Sequence, residues 1–179
     1  DYFARENKIE CYRGSENDVL SRYYEAAKKY QIEVIVRITA DCPFIDPKII
    51  DKVVKAHMKA RRFDYTANMI ERTFPKGLDV EVFTFKAIEK SFEETQSNYD
   101  REHVDEYILN HPNLFKLQNV KARGALARPE LRVTVDTKED FQMAEKVYQH
   151  FKDNMFYAKD LIEFLDRHPE IKKINIDAK

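Results

Sequence analysis

The spacing of apolar residues predicts alternating strands and helices at the start of the chain. Residues 18–30 repeat apolar side chains at helical spacing, whereas residues 33–38 (EVIVRI) are β-branched and almost continuously apolar, as is typical of a buried parallel strand. A second helix is predicted to begin at Asp46 and Pro47, because an aspartate N-cap followed by a first-turn proline favours helix initiation. A short strand over residues 8–12 precedes them, so the predicted order is β-α-β-α, the pattern of a parallel sheet covered by helices.

The rest of the chain continues this alternation of short strands and helices. Further strands are predicted over 64–68, 79–83, 115–120 and 131–135. Further helices are predicted over 86–94, 101–110, 138–151 and 158–168, and Thr137 with Asp140 resembles a capping box before the third of these. Because no repeat, low-complexity tract or long linker interrupts the chain, we expect residues 1–179 to form a single α/β domain.

Composition favours a globular protein without a nucleic-acid interface or a membrane span. Hydrophobic residues make up 43% of the chain and include 10 Tyr and 12 Phe, too many aromatics for a disordered protein. The formal net charge is -1, from 31 basic and 32 acidic residues, so the basic excess of a nucleic-acid-binding protein is missing. No apolar run reaches about 18 residues. Cys11 and Cys42 have neither metal-ligand nor disulfide spacing, so we expect a reducing, cytoplasmic location.

Glycine is scarce in this sequence, which bears on how a nucleotide could be held. The three glycines, Gly14, Gly77 and Gly124, are too far apart for a dinucleotide fingerprint or a Walker loop. An α/β protein normally cradles phosphates with a glycine-bearing loop after an early strand. Either this protein holds phosphates differently, or the loop lies upstream of Asp1; the start in mid-pattern, without Met, leads us to expect the second.

Two aspartates follow predicted strands and are candidate metal ligands. Asp41 comes after the strand at 33–38 and Asp136 after the strand at 131–135, and α/β sheets bind ligands outside the carboxyl ends of their strands. Together they could hold one Mg²⁺, which proteins usually bind through one or two carboxylates plus substrate phosphates. The alternative is that Asp41 is a turn residue before Pro43 and Asp136 belongs to a helix cap.

Three further polar residues are weaker candidates on pattern alone. Asp79 and Glu81 share one face of the predicted strand at 79–83, where a solvated strand face is the alternative. His103 lies on a predicted helix and could act on a substrate, although a lone helical histidine is more often structural. No serine or cysteine nucleophile is paired with it, so covalent catalysis is not expected.

Five blocks of this sequence resemble the spore-coat polysaccharide biosynthesis protein F family of cytidylyltransferases, which is related to the synthetases of CMP-sialic acid and CMP-Kdo. The blocks occur in the family's order and span nearly the whole chain. They are YRGSENDVLSRYY at 12–24, IVRITADCP at 35–43 with IDP at 45–47, PKGLDVEVF at 75–83, DREHV at 100–104, and RVTVDT at 132–137 with Glu139 and Asp140.

The resemblance implies a Rossmann-like nucleotide-diphospho-sugar transferase fold, with a mostly parallel sheet flanked by helices that lacks the family's first strand and loop. The implied reaction is attack of a sugar hydroxyl on the α-phosphate of CTP, with release of pyrophosphate. Matched block by block, the implied residues are Asp41 and Asp136 as catalytic Mg²⁺ ligands, Arg13 and Ser15 near the nucleotide, and Asp79, Glu81, Arg101, Glu102 and His103 around the sugar. The implied substrates are CTP and a small sugar acid or related surface-polysaccharide precursor, and the related synthetases also imply a homodimer.

The sequence departs from the family in one respect that concerns catalysis. Members open with a loop of the type R-x-x-S-x-R-x-P-G-K, whose basic residues grip the triphosphate, and this sequence does not contain it. Because phosphoryl transfer depends mainly on positioning and charge stabilisation, we expect the chain to be inactive alone. Two other functions stay open: glycosyl transfer from a nucleotide sugar on the same fold, and a non-catalytic sugar- or nucleotide-binding and assembly module.

Overall fold

The computed structural model describes residues 2–60, 62–152 and 155–178. The strands in this part of the chain are β1 (Val34–Arg37), β2 (Tyr65–Ala67), β3 (Glu81–Thr84) and β4 (Leu117–Asn119). The helices are α1 (Tyr2–Glu6), α2 (Val19–Lys29), α3 (Pro47–Ala60), α4 (Phe85–Glu94), α5 (Asn98–Glu102), α6 (Glu106–Asn110), α7 (Lys138–His150), α8 (Ala158–Arg167) and α9 (Pro169–Lys172), with a 3-10 turn at Gly124–Leu126. None of the described helices is long and apolar enough to cross a membrane.

The strands form one sheet in the order β1-β3-β2-β4. The Thr84 N–H donates to the Asp64 carbonyl (3.0 Å) at one end of the β2–β3 pair. At the other end the Asn68 N–H donates to the Val80 carbonyl (3.3 Å), so β2 and β3 run in opposite directions.

The pairing of β2 with β4 has the other sense. The Asp64 N–H donates to the Lys116 carbonyl (2.8 Å), and four residues along β4 the Val120 N–H donates to the Ala67 carbonyl (2.8 Å). These two strands are therefore parallel and the sheet is mixed, whereas the expectation was a mostly parallel sheet. The predicted α/β class, a sheet flanked by helices, is confirmed.

The predicted strand at residues 8–12 is wrong. Residues 7 and 8 form the turn that ends helix α1, and residues 9–12 join no strand of the sheet. Helix α1 ends where Lys8 adopts a left-handed conformation, with φ of 55°. The Lys8 N–H donates to the Arg5 carbonyl (3.1 Å) and the Ile9 N–H to the Ala4 carbonyl (2.8 Å), which closes the last turn of the helix.

The predicted strand at residues 131–135 is also wrong, because its hydrogen bonds go to loops. The Val133 N–H donates to the Lys76 carbonyl (2.7 Å), and the Val135 N–H donates to the Asp41 carbonyl (2.8 Å). Lys76 and Asp41 lie outside the strands of the sheet, so the segment is extended without joining the ladder.

The predicted helix at 101–110 is two helices, α5 and α6, separated by residues 103–105. The His103 N–H donates to the Tyr99 carbonyl (2.8 Å) at the end of α5. Val104 between the two helices is fully buried. The apolar pattern continues across the break because Val104 faces the interior there, so periodicity alone could not locate it.

The described residues fall into two compact units, and the prediction of one domain stays a prediction. The first unit comprises the described parts of 1–35, 62–65 and 83–117. In it, Tyr24 of α2 stacks on Phe92 of α4 with ring centroids 4.3 Å apart. Asp18 caps α2 by accepting a hydrogen bond from the Ser21 N–H (2.9 Å), as the predicted helix requires.

The second unit comprises the described parts of 36–61, 66–82 and 118–179. Helix α7 contributes Met143 and Val147 to its core, and α8 contributes Leu161 and Leu165, all essentially inaccessible to solvent. The predicted capping box of α7 is confirmed, with aspartate where glutamate is usual.

Gly77 allows a loop to approach the extended segment that leads to Asp136. Its φ is +103°, a region that side-chain-bearing residues rarely adopt. A Cβ at this position would lie 2.4 Å from the Thr134 nitrogen and 2.6 Å from the Val133 carbonyl carbon. Both are backbone atoms, so neither can move aside without displacing the segment.

We predict that Gly77→Ala destabilises the protein more than Gly124→Ala does. Gly124 also has a positive φ, of +59°, but a Cβ there meets nothing within 4 Å. Gly124→Ala should therefore cost only the backbone term, about 1 kcal/mol, and Gly77→Ala should cost roughly 1–3 kcal/mol more from the backbone clash. Urea denaturation of the two variants measures this difference, and equal losses would contradict the close-approach argument.

Candidate active site

Asp41 lies in the turn after β1 and is tied directly to the segment before Asp136. Its carbonyl accepts hydrogen bonds from the Val135 N–H (2.8 Å) and from the Thr134 hydroxyl (3.0 Å). The same hydroxyl lies 3.1 Å from Oδ2 of the Asp41 carboxylate. The two aspartates thus lie on adjoining segments of the second unit. Asp136 directly follows Val135, whose N–H donates to the Asp41 carbonyl.

The surroundings of Asp41 favour its ionised form. Burial is the largest single influence on its pKa and raises it, because a charged carboxylate loses water contacts. Hydrogen bonds from Thr39, Thr134 and its own backbone N–H, together with the charge of Arg37, outweigh burial and lower the pKa of Asp41 below its ordinary value. Asp41 is therefore negatively charged at neutral pH, as a candidate ligand of a metal ion needs to be.

The Asp136 carboxylate is bracketed by two cations. The Arg132 guanidinium donates to its Oδ2 at 2.7 Å, and the Lys76 ammonium lies 3.7 Å from the same oxygen. The Asp136 side chain is 40% exposed, so it is accessible from solvent.

A buried network holds Arg132 beneath Asp136. Asp140 is inaccessible to solvent, and it accepts two hydrogen bonds from the Arg132 guanidinium, at 2.9 and 2.7 Å. The Asn175 side chain donates to Asp140 at 2.8 Å, and the backbone N–H groups of Asp136 and Thr137 donate to it at 3.1 Å. Asp140 therefore orients both the side chain and the backbone next to the candidate ligand Asp136.

The pKa of Asp140 is held well below its ordinary value of 3.8. Burial is the largest influence and acts in the opposite direction, but it is outweighed by the hydrogen bonds from Arg132, Asn175 and the two backbone N–H groups. A charge that is both buried and fully hydrogen-bonded is stable only while all its partners are in place.

Asp79 and Glu81, which the resemblance places around a sugar, are both engaged in ion pairs. Arg72 binds the two oxygens of Asp79 at 2.7 and 3.1 Å. Glu81 is only 3% exposed and is paired with Arg37. The structure thus shows these carboxylates orienting two arginines, and their contact with a sugar stays a prediction.

Arg101, Glu102 and His103 lie in the first unit. Arg101 donates to the carboxylate of Asp18 (2.8 Å) and to the Phe92 carbonyl (3.0 Å), contacts that join α5 to the start of α2 and to α4. His103 packs against the ring of Tyr99, with centroids 4.4 Å apart, and Glu102 is exposed. Their assignment to a sugar site stays a prediction.

Arg13 and Ser15 are exposed residues of the first unit, between α1 and α2. The Ser15 hydroxyl accepts a hydrogen bond from the Asp18 N–H (3.1 Å), which supports the turn that leads into α2. Their proximity to a nucleotide also stays a prediction.

Two depressions flank the candidate ligands in the second unit. One, of about 400 Å³, is lined by Asp41 together with Ala40, Pro43, Val135, Phe141, Ala144, Glu145 and Tyr148. The other, of about 650 Å³, is lined partly by the cations Arg72, Lys76, Arg132 and Lys172. The first depression includes Asp41 in a largely apolar wall. The second is also largely apolar, and it adds these four cations and Glu130.

The chemistry of Asp41 and Asp136 fits a hard divalent cation. Within residues 2–60, 62–152 and 155–178 no group of three or more His, Cys, Asp or Glu side chains has a metal-binding arrangement. Two carboxylates are nevertheless the usual protein contribution to Mg²⁺, which completes its shell with water and substrate phosphates. Sequence reasoning missed the supporting residues Arg37, Arg72 and Asn175, whose partners lie elsewhere in the sequence.

Comparison with known proteins identifies the class. The fold is shared with a solved cytidylyltransferase from Leptospira borgpetersenii, with a TM-score of 0.90 and 35% sequence identity over 96% of this chain and 72% of that one. The mixed sheet flanked by helices is thus that of the Rossmann-like nucleotidyltransferases.

Sequence comparison narrows the class to a family. The family profile described as Cytidylyltransferase matches residues 3–174. An uncharacterized protein of Methanocaldococcus jannaschii is 42% identical over 173 residues, which cover 96% of this chain and 69% of that protein. The spore coat polysaccharide biosynthesis protein SpsF of Bacillus subtilis is 34% identical over 161 residues, which cover 89% of this chain and 65% of SpsF. The chain belongs to the cytidylyltransferase family.

We predict that Asp140→Asn lowers the free energy of unfolding by about 3 kcal/mol at pH 7, because it leaves the Arg132 charge without its buried partner. The lowered pKa of Asp140 stabilises the folded protein at pH values above 3.8. This stabilisation is lost as the pH falls through the folded-state pKa. The difference between the wild type and Asp140→Asn should therefore shrink in acid.

Urea denaturation at pH 7 and in a series below pH 4 measures both effects. Asp51→Asn is the matched control, since Asp51 is 66% exposed and forms a surface pair with Lys55; it should cost less than about 1 kcal/mol. A difference for Asp140→Asn that stays constant with pH would contradict the account of the buried charge.

Proposed function

We propose that this protein transfers CMP from CTP to a sugar acid or a related surface-polysaccharide precursor, with release of pyrophosphate. One observation carries the proposal: in a member of the cytidylyltransferase family, the Asp41 carbonyl accepts hydrogen bonds from Thr134 and Val135, so Asp41 lies against the segment that ends at Asp136. The name of the relative SpsF, a spore coat polysaccharide biosynthesis protein, supports an acceptor of the polysaccharide class.

Asp41 and Asp136 would hold one Mg²⁺ in this site. When bound, the ion would supply neutralisation of the charge on the α-phosphate and orientation for in-line attack. The carboxylates of Asp41 and Asp136 provide the ligand oxygens, Thr134 orients the first, and Arg132 orients the second.

The substrates would be bound by residues that the resemblance assigns. Arg13 and Ser15 are proposed for the nucleotide, and Asp79, Glu81, Arg101, Glu102 and His103 for the sugar. The ion pairs of Asp79 and Glu81 favour an indirect role, in which each carboxylate orients an arginine. The homodimer, the cytoplasmic location and the absence of a nucleic-acid partner stay predictions.

We predict that Asp41→Asn and Asp136→Asn each abolish Mg²⁺-dependent CTP binding and pyrophosphate release. The triphosphate grip of the family comes from a basic loop that this sequence does not contain, so the assay uses two proteins. One is the 179-residue chain, and the other is this chain preceded by a strand and a basic loop of the type R-x-x-S-x-R-x-P-G-K that the resemblance implies. Calorimetry with CTP and Mg²⁺ measures binding, and pyrophosphate is followed with an acceptor present.

Asp51→Asn serves as the control, because Asp51 lies on the exposed face of α3 and should leave both readouts unchanged. Loss of activity in Asp41→Asn and Asp136→Asn, with Asp51→Asn active, supports cytidylyl transfer. CTP binding that does not depend on Asp41 or Asp136 would refute the metal site. Product formation from a nucleotide sugar without pyrophosphate release would indicate glycosyl transfer, and binding of a nucleotide or sugar without formation of any product would indicate a non-catalytic module.

A further inference from the structure

The two cations at Asp136 contact the same oxygen but are held very differently. The Arg132 guanidinium donates to Oδ2 of Asp136 at 2.7 Å, whereas the Lys76 ammonium lies 3.7 Å from that oxygen, beyond hydrogen-bond distance. The Arg132 side chain is 12% exposed and the Lys76 side chain 45%. Lys76 therefore makes a weak, solvent-screened contact and Arg132 a strong one.

Arg132 is anchored independently of Asp136. Its guanidinium makes two hydrogen bonds to the buried Asp140, and Asn175 donates to its backbone carbonyl at 3.1 Å. Removing the Asp136 contact would leave the Asp140 contacts in place. Arg132 is thus a fixed part of the wall beneath Asp136.

Lys76 is hydrogen-bonded at its backbone, whereas its side chain is 45% exposed. The Lys76 N–H donates to the Leu131 carbonyl at 2.9 Å, and the Lys76 carbonyl accepts from the Val133 N–H at 2.7 Å. The neighbouring Gly77 holds the loop against the same segment. The ammonium can therefore leave Asp136 by side-chain rotation alone, with no change in the loop.

We propose that Lys76 is a displaceable counter-ion, which pairs with the Asp136 carboxylate in the metal-free protein and leaves it when a divalent cation binds. The inference rests on the metal site of the proposed function. A divalent cation at Asp136 repels the ammonium near the same carboxylate oxygen, and the exposed, weakly held lysine leaves while the anchored Arg132 stays. Lys76 also lines the larger depression, together with Arg72 and Lys172.

This arrangement has a directional consequence for metal affinity. An ordinary supporting residue would weaken metal binding when removed, because Asp136 would lose its orientation. A displaced counter-ion would instead strengthen metal binding when removed, because the metal no longer competes with it. The sign of the change separates the two roles.

We predict that Lys76→Gln tightens the binding of Mn²⁺, used as the probe, by about 2–5-fold, the size expected from loss of one exposed ion pair. Electron paramagnetic resonance of unbound Mn²⁺ measures the dissociation constant directly. Lys172→Gln is the matched control, because it removes the same charge from the same depression. The charge of Lys172 lowers the pKa of Glu130 and of Asp166, so it interacts with other carboxylates. It should change the Mn²⁺ affinity much less than Lys76→Gln does.

A double-mutant cycle with Asp136→Asn completes the test. In that background Lys76→Gln should change the residual Mn²⁺ affinity no more than Lys172→Gln does. Weaker Mn²⁺ binding by Lys76→Gln, or a change equal to that of Lys172→Gln, would overturn the displacement of Lys76 while leaving the metal site intact. Absence of Mn²⁺ binding to the wild type would overturn the proposed metal site itself. Thermal unfolding of each variant verifies that all compared proteins are folded.

Discussion

The hydrogen bonds between the Asp41 carbonyl and the residues Thr134 and Val135 determine the layout of the candidate site. They join the turn after β1 to an extended segment nearly a hundred residues later in the chain. That segment carries Asp136 at its end, so the position of one carboxylate follows from the backbone of the other. The loop that contains Gly77 packs closely against the same segment. This close approach brings Lys76 near Asp136.

The charges around this junction are arranged in two layers. The inner layer is the buried Asp140 with Arg132 and Asn175, where each hydrogen bond offsets the loss of water around a charge. The outer layer is Asp136 with Lys76, which remain accessible to solvent. A rigid inner layer that orients an accessible carboxylate is the arrangement that a metal-binding site needs, since its ligands must be placed before the metal arrives.

Local signals were enough to predict α2, α3, α4, α7 and α8, but not α1, α9 or the break between α5 and α6. Pro47 and Thr137 are predicted start signals that the structure uses at the start of α3 and α7. Each aspartate also follows a run of apolar residues, and Asp41 does lie just beyond a strand. The family resemblance was needed to relate the two aspartates to a reaction, because turn and cap residues have the same composition.

The remaining features depend on contacts between residues far apart in the sequence. Segment 131–135 has the composition of a strand, but its partners are loops at Lys76 and Asp41, so it does not join the sheet. The pairing of Glu81 with Arg37, 44 residues away, could not be read from the alternation of the strand, which indicated only a shared face with Asp79. Asn175 lies 35 residues from Asp140 and has no local pattern that reveals its role.

The metal site that we propose for Asp41 and Asp136 can be located by anomalous diffraction from crystals of the protein soaked in Mn²⁺, without reference to activity. We expect a single strong anomalous peak between the two carboxylates, within metal-ligand distance of an oxygen from each. A peak within ligand distance of only one of the two carboxylates would contradict a shared metal site. A peak elsewhere, with both aspartates keeping their present contacts, would also contradict it.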